Sequence, residues 1–354
     1  MSEGSNTDMA ENPFPAIRPD WLAQVVEPVI DPDYPIVDAH HHLFDVPLWR
    51  YRFDDYLADI GSGHNVIATV YAECGSMYKA SGPAERRPIG ETEFANGVAA
   101  MSASGGFGKT RVCSAIFGHV DLTIGARARE VLQGHIQAGG GRFRGIRHAT
   151  VYDPSPAIRT TLDQPPQYLM ADKKFREGFA CLAPLGLSFD VWMYHTQLPD
   201  LISLVRAFPD TTFVLDHVAG VLGIGPYAGR RDEIFATWAR DMRELAAHPN
   251  VNVKVGGLAM HTVGFGFHEK KLPPTSEELA SAWRPYVETT IGAFGADRCM
   301  FESNFPVDKV SCSYGVMWNA FKRLAEGVSA DDKAALMHKT ATRVYKLQLD
   351  PGTE

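Results

Sequence analysis

The sequence predicts an α/β fold: a single-domain, closed (β/α)8 barrel with long βα loops and a short N-terminal extension. Three observations carry this. Eight short apolar runs recur along the chain, helical patterns lie between most of them, and polar residues collect where the runs end. An open doubly wound sheet is the alternative. It is weakened by the absence of a GxGxxG turn after the first run. Gly139-Gly140-Gly141 precedes an apolar run instead of opening a helix, so it reads as a turn.

Taken in order, residues 1–34 form the extension, a polar leader followed by a short amphipathic element at 21–30 that Asp31-Pro32-Asp33 closes. Strands are expected at 36–40, 66–73, 111–118, 143–148, 187–192, 212–217, 251–255 and 298–302. These runs are apolar, as strands buried on both faces must be. Helical periodicity marks 91–103, 126–138, 173–183, 198–208, 232–247, 276–294 and 315–326. Long insertions at 74–90 and 256–274 follow the second and seventh strands. In a barrel such loops build the active-site mouth, and both are expected to cover substrate. A last helix at 331–347 is expected to seal the exterior, so the barrel spans 35–347 and a tail runs 348–354.

The 354 residues suffice for one large barrel, and a 45% hydrophobic fraction supports a sizeable core. The formal charge of -8 is dispersed, and no basic run of the kind nucleic acid requires is present. A small anionic molecule is therefore the expected partner, neither nucleic acid nor membrane, with homo-oligomerisation left open. The five cysteines are widely spaced and include no CxxC pair, which fits a reducing compartment. With no apolar leader and no run of ~20 apolar residues, a cytoplasmic location is expected.

The chemistry begins at Asp38-Ala39-His40-His41-His42. Residues two apart on a strand share a face, so His40 and His42 project together while His41 points away. Two imidazoles at a strand end make half of a site for a divalent metal; the bland alternative is a polar strand end that happens to contain histidines. The other strand ends add Glu73, then Arg144, Arg147 and His148, then His195, Asp216-His217, Lys254 and Glu302-Ser303-Asn304. Each has a structural explanation taken singly. Seven of the eight strands supplying one ring is harder to explain that way.

These motifs, with Leu215-Asp216-His217, Ser303-Asn304-Phe305-Pro306 and Phe143-Arg144-Gly145-Ile146-Arg147-His148, resemble the amidohydrolase superfamily, most closely its branch of sugar lactonases and pyrone-dicarboxylate lactonase. The resemblance covers roughly residues 35–347 and implies hydrolysis of a small carboxylated or sugar-derived substrate, often a lactone. It also implies an Asp at the end of strand eight that binds metal and takes a proton from the attacking water. Here that position is Asn304, whose amide cannot act as a general base. Glu302, Glu73 or His217 could take over, or the site has moved to other chemistry. His40 and His42 with Glu73 or His195 are the expected ligands of a divalent metal, with zinc the expected ion. Sites in the same branch also use the histidine pair for a substrate carboxylate instead. Arg144, Arg147, His148 and Lys254 are the expected substrate-binding residues, since Arg grips a carboxylate bidentately. The expected activity is thus lactone, ester or amide hydrolysis, with His217, Glu302 and Asn304 at its catalytic centre. Decarboxylation or hydration of an aromatic-derived acid is the rival, and a dead binding barrel the third reading.

Overall fold

Eight parallel strands stand in chain order, each hydrogen-bonded to the next: β1 (Ile36–His41), β2 (Val66–Ala72), β3 (Arg111–Gly118), β4 (Phe143–Arg147), β5 (Ser188–Val191), β6 (Phe213–Leu215), β7 (Val251–Val255) and β8 (Cys299–Phe301). This is the expected (β/α)8 barrel, seen in a computed structural model that describes residues 15–46, 49–161 and 164–349. The leader up to residue 14 and the tail beyond 349 lie outside the described residues.

The barrel closes just beyond the regular ladder. The backbone N–H of Asn304 donates to the His40 carbonyl at 2.9 Å, and that of His42 donates to the Phe305 carbonyl at 2.8 Å. Asp38 reinforces this seam from the outer side of β1. It accepts from the Ser303 N–H (2.8 Å), the Ser303 hydroxyl (2.6 Å), Tyr56 (2.8 Å) and Tyr314 (3.0 Å). A buried carboxylate is tolerated only when its acceptor sites are filled, and these four donors, with the His40 N–H at 3.3 Å, fill them. The seam therefore also fixes His40 and His42 beside Asn304.

Large side chains fill the layer between strands and helices, among them Trp238, Trp283, Trp318, Phe179 and Phe213. Small ones line a separate cluster that includes Val37, Ala39, Val70, Ala72, Val214 and Met300. Ala341, Tyr345 and Leu347, from the last helical segment and its end, join that cluster and close the end of the barrel opposite the polar ring.

Several boundaries differ from expectation for identifiable reasons. The amphipathic element shrinks to Pro19–Leu22, and Pro28 follows in a stretch that Glu27 ties to the Ser276 N–H at 2.7 Å. Between β1 and β2 the chain inserts a hairpin, Phe44–Val46 with Trp49–Tyr51, and a two-turn helix, Phe53–Ile60. Both are too short to give a periodic signal. β6 ends at Leu215, so His217 stands outside the strand. The last helix widens into a π turn over Ala335–Lys339 between Ala330–Ala334 and Thr340–Val344. No helix among the described residues is long and apolar enough to cross a membrane.

Asp38→Ala removes five hydrogen-bond acceptances at the seam, and unsatisfied buried groups cost about 1–3 kcal/mol each. We expect a loss of at least about 3 kcal/mol of stability. An unchanged midpoint in urea unfolding would show that the seam closes without Asp38.

Candidate active site

The ring assembles at the carboxyl ends of the strands. His40 and His42 face one another with their Nε2 atoms 3.1 Å apart. His41 turns outward, where its Nε2 meets Thr69 Oγ1 at 2.9 Å and its ring stacks on Tyr56. Period-two geometry thus places the pair as expected. The Nδ1–H of His42 donates to the Ala72 carbonyl at 3.0 Å, which leaves Nε2 as its acceptor nitrogen. Burial holds both rings well below the ordinary histidine range, reinforced by Lys254 beside His40 and Arg147 beside His42. Both imidazoles are consequently neutral, the form that can bind metal.

Beneath the pair lies Lys254, fully buried. Its ammonium donates to Asp190 Oδ1 at 2.7 Å and Asp216 Oδ1 at 2.9 Å, and it lies 3.1 Å from His40 Nδ1. The Phe117 ring covers it at 4.1 Å. Burial alone would discharge such a lysine, but the two aspartates outweigh that and raise its pKa. Asp216 is held well below the usual carboxylate range: burial opposes this, and Lys254 with His40 overcomes it. Its other oxygen lies 3.4 Å from Arg147 Nη1.

Arg147 is similarly occupied. Its Nε donates to Glu73 Oε1 at 2.7 Å and its Nη2 to the Glu73 carbonyl at 2.6 Å. Both cations expected to grip a substrate carboxylate are therefore paired inside the ring. Arg144 points elsewhere, donating to the carbonyls of Tyr345 and Lys346 at the opposite end of the barrel. It sits at the second residue of β4 and Arg147 at the last, so the strand itself separates them. His148 Nδ1 accepts from the Leu122 N–H at 3.2 Å, with its pKa pushed down to about 3 by burial. His195 Nδ1 accepts from the Leu222 N–H at 3.3 Å, and its ring packs on Tyr227. These contacts anchor loops, and none of them joins His148 or His195 to the His40–His42 pair.

His217 and Glu302 form the most defined pair. His217 Nδ1 lies 2.7 Å from Glu302 Oε1, which also accepts the His217 backbone N–H at 3.2 Å. His217 opens a left-handed turn with φ of 55, 45, 68 and 50° at His217, Val218, Ala219 and Gly220. At about 1–2 kcal/mol per non-glycine residue, such a turn persists only under outside constraint. The constraint is visible: Trp238 Nε1 donates to the Val218 carbonyl at 2.9 Å, and Trp192 packs edge-on against His217. Gly256 and Gly257 give the pair room. A Cβ on Gly256 would lie 2.4 Å from Glu302 Cγ, and one on Gly257 would lie 2.4 Å from His217 Cβ.

A divalent cation suits this donor set. His40, Asp216 and His217 each offer a ligand atom within 4.8 Å of the others. The 3.1 Å between the Nε2 atoms of His40 and His42 is close to the ~3.3 Å separating two ligands on one tetrahedral ion with Zn–N bonds near 2.0–2.1 Å. Two buried oxygens, Glu302 Oε2 and Asn304 Oδ1, have no hydrogen-bond partner. Sequence reasoning left Asp190 and Tyr345 out of the ring. An Asp inside an apolar strand was a usable signal for the first, whereas nothing local marks a tyrosine near the chain end.

Residues 37–347 match the Amidohydrolase family. The chain belongs to that family and is an enzyme of the amidohydrolase superfamily. It is 33% identical over 340 residues to the uncharacterised protein y4mH of Sinorhizobium fredii, covering 96% of this chain and 95% of the relative. It is 29% identical over 323 residues to the L-fucono-1,5-lactonase of Burkholderia multivorans, covering 88% of this chain and 96% of that enzyme. Among solved structures, an amidohydrolase of Burkholderia multivorans with bound zinc is 25% identical with a TM-score of 0.62, covering 89% of this chain and all of that one.

Gly257→Ala tests the packing around His217. The new methyl must displace the imidazole and also sits at φ +65°, so we expect kcat/KM to fall ~100-fold or more, a loss comparable to that of a major transition-state interaction. Unchanged kcat/KM would mean that the His217 position is immaterial to turnover.

Proposed function

We propose that the protein is a lactonase that opens a small, uncharged, hydroxylated lactone. The His217–Glu302 pair beside two neutral, inward-facing histidines carries this reading. With its Nδ1–H committed to Glu302, His217 presents Nε2 as a proton acceptor at the mouth, and the carboxylate stabilises the imidazolium formed when His217 takes a proton from water. His217, oriented by Glu302, thus takes the base role that the resemblance gives to an Asp at the position of Asn304. A divalent cation held by His40 and His42, with Asp216 and the partnerless oxygens nearby, would polarise the lactone carbonyl and acidify water; zinc is the ion we favour, as in the Burkholderia structure.

The uncharged substrate follows from the pairing of the cations. Arg147 is spent on Glu73 and Asp216, and Lys254 on Asp190 and Asp216. A carboxylated substrate would find Lys254 already paired and could reach Arg147 only through the N–H groups that do not donate to Glu73 or Asp216. A sugar-derived lactone needs only hydrogen bonds, which accords with the lactonase relative.

A second reading rests on Asn304. Decarboxylation of an aromatic acid needs no activated water, so the lost carboxylate would cost it nothing.

Metal analysis of protein purified without chelator, with a panel of neutral and carboxylated lactones and aromatic acids, separates these readings. We expect stoichiometric divalent metal and preference for neutral lactones. CO2 release without lactone opening would instead establish the decarboxylase. His40→Ala and His42→Ala should each lower lactone turnover by ~100-fold or more with the fold intact. Near wild-type turnover in either would place the chemistry elsewhere. Glu302→Gln should reduce kcat by ~10-fold or more, within the usual contribution of general-base catalysis. A full rate in that variant would remove Glu302 from the mechanism.

A further inference from the structure

Tyr345 comes from the segment that closes the far end of the barrel, yet it reaches the underside of the catalytic ring. It is fully buried. Its hydroxyl donates to Asp190 Oδ1, the same oxygen that accepts from Lys254. Its ring stacks on Phe117 at 6.2 Å and 16°, and the two rings flank the Lys254 ammonium at 5.5 and 4.1 Å. From below, Arg144 holds the Tyr345 carbonyl at 2.7 Å. One continuous chain of contacts therefore runs from Arg144 through Tyr345, Asp190 and Lys254 to His40 Nδ1.

The end of that chain is where geometry matters. His40 Nδ1 faces three groups, Lys254 Nζ at 3.1 Å, Glu302 Oε2 at 3.3 Å and Asp216 Oδ1 at 3.6 Å. If Nδ1 accepts from the ammonium, the ring proton sits on Nε2, toward His42. If Nδ1 carries the proton toward Glu302, Nε2 presents a lone pair instead. Where Lys254 sits decides between the two, and its place is set by Asp190 and Asp216 together with the aromatic rings.

We propose that Tyr345 is a positioning residue of the active site: through Asp190 it holds Lys254 and thereby fixes the orientation and tautomer of the His40 imidazole. The proposal rests on the ring being the active site, as argued above. It gives the last helical segment a role in catalysis beyond sealing the barrel. It also gives Arg144, remote from the mouth, a task in holding that segment in place.

Tyr345→Phe deletes the hydroxyl and keeps the stacked ring. The decisive readout is the imidazole 15N spectrum of the full-length protein, with His40 assigned by difference against His40→Gln. His135, whose Nδ1 lies 2.8 Å from Thr92 Oγ1 at the outer layer, serves as internal control. We expect the His40 ring-nitrogen resonances to move while those of His135 stay. kcat should fall more than KM rises. If the His40 resonances are unchanged, Tyr345 is only a structural residue, whatever happens to the melting temperature, and the proposal is overturned. Should Tyr345→Phe fail to fold, Arg144→Gln, which releases the Tyr345 carbonyl from the barrel end, carries the same spectral readout. A wild-type protein that binds no zinc and opens no lactone would sink the hydrolase reading, while the His40 resonances still judge Tyr345.

Discussion

The ammonium of Lys254 is the constraint on which the ring depends. Removing a cation from water costs several kcal/mol after relaxation, and only close, well-placed anions offset it. Here Asp190 and Asp216 do so from neighbouring strands, at 2.7 and 2.9 Å, under the cover of Phe117. The same ammonium then faces His40. Side chains of β1, β3 and β5, with Asp216 from the end of β6, thus gather around the one buried charge that β7 carries. Loss of either aspartate would leave the ammonium short of a counter-charge, so the ring is ordered as a unit.

The second half of the ring depends on backbone strain. His217 could not meet Glu302 from a regular strand, and the chain reaches that position only through three non-glycine residues at positive φ. Trp238, Trp192 and the two glycines after β7 keep the turn in place. Strain of this kind persists where the surrounding structure over-determines it, and such positions cluster at functional sites. The two halves meet at His40, whose Nδ1 lies between Lys254 and Glu302.

Much of this was legible in the residues. Apolar runs in alternation with helical periodicity marked the barrel, and period-two spacing placed His40 and His42 together with His41 outside. The strand-end rule located Glu73, Arg147, Lys254 and Glu302 in one ring, because the carboxyl ends of parallel strands converge by construction. It could not choose between a cation that meets substrate and one that pairs within the ring, and the structure shows Arg147 and Lys254 contacting the carboxylates of Glu73, Asp190 and Asp216. Arg144 and His148 show a second limit. The rule treats a strand end as one place, whereas alternation and a few residues of rise send Arg144 to the far end and His148 to a loop. The left-handed turn at His217 had no sequence mark at all, since Val218 and Ala219 are residue types that avoid it. Tyr345 was hidden for a different reason: its partner Asp190 lies 155 positions away in sequence.

Anomalous diffraction from crystals of the wild-type protein soaked in zinc tests the account most directly. The account predicts one strong peak at the mouth, bonded to Nε2 of both His40 and His42, with Lys254 still paired to Asp190 and Asp216 beneath it. No peak there at saturating zinc, or a peak that engages neither histidine, would contradict it.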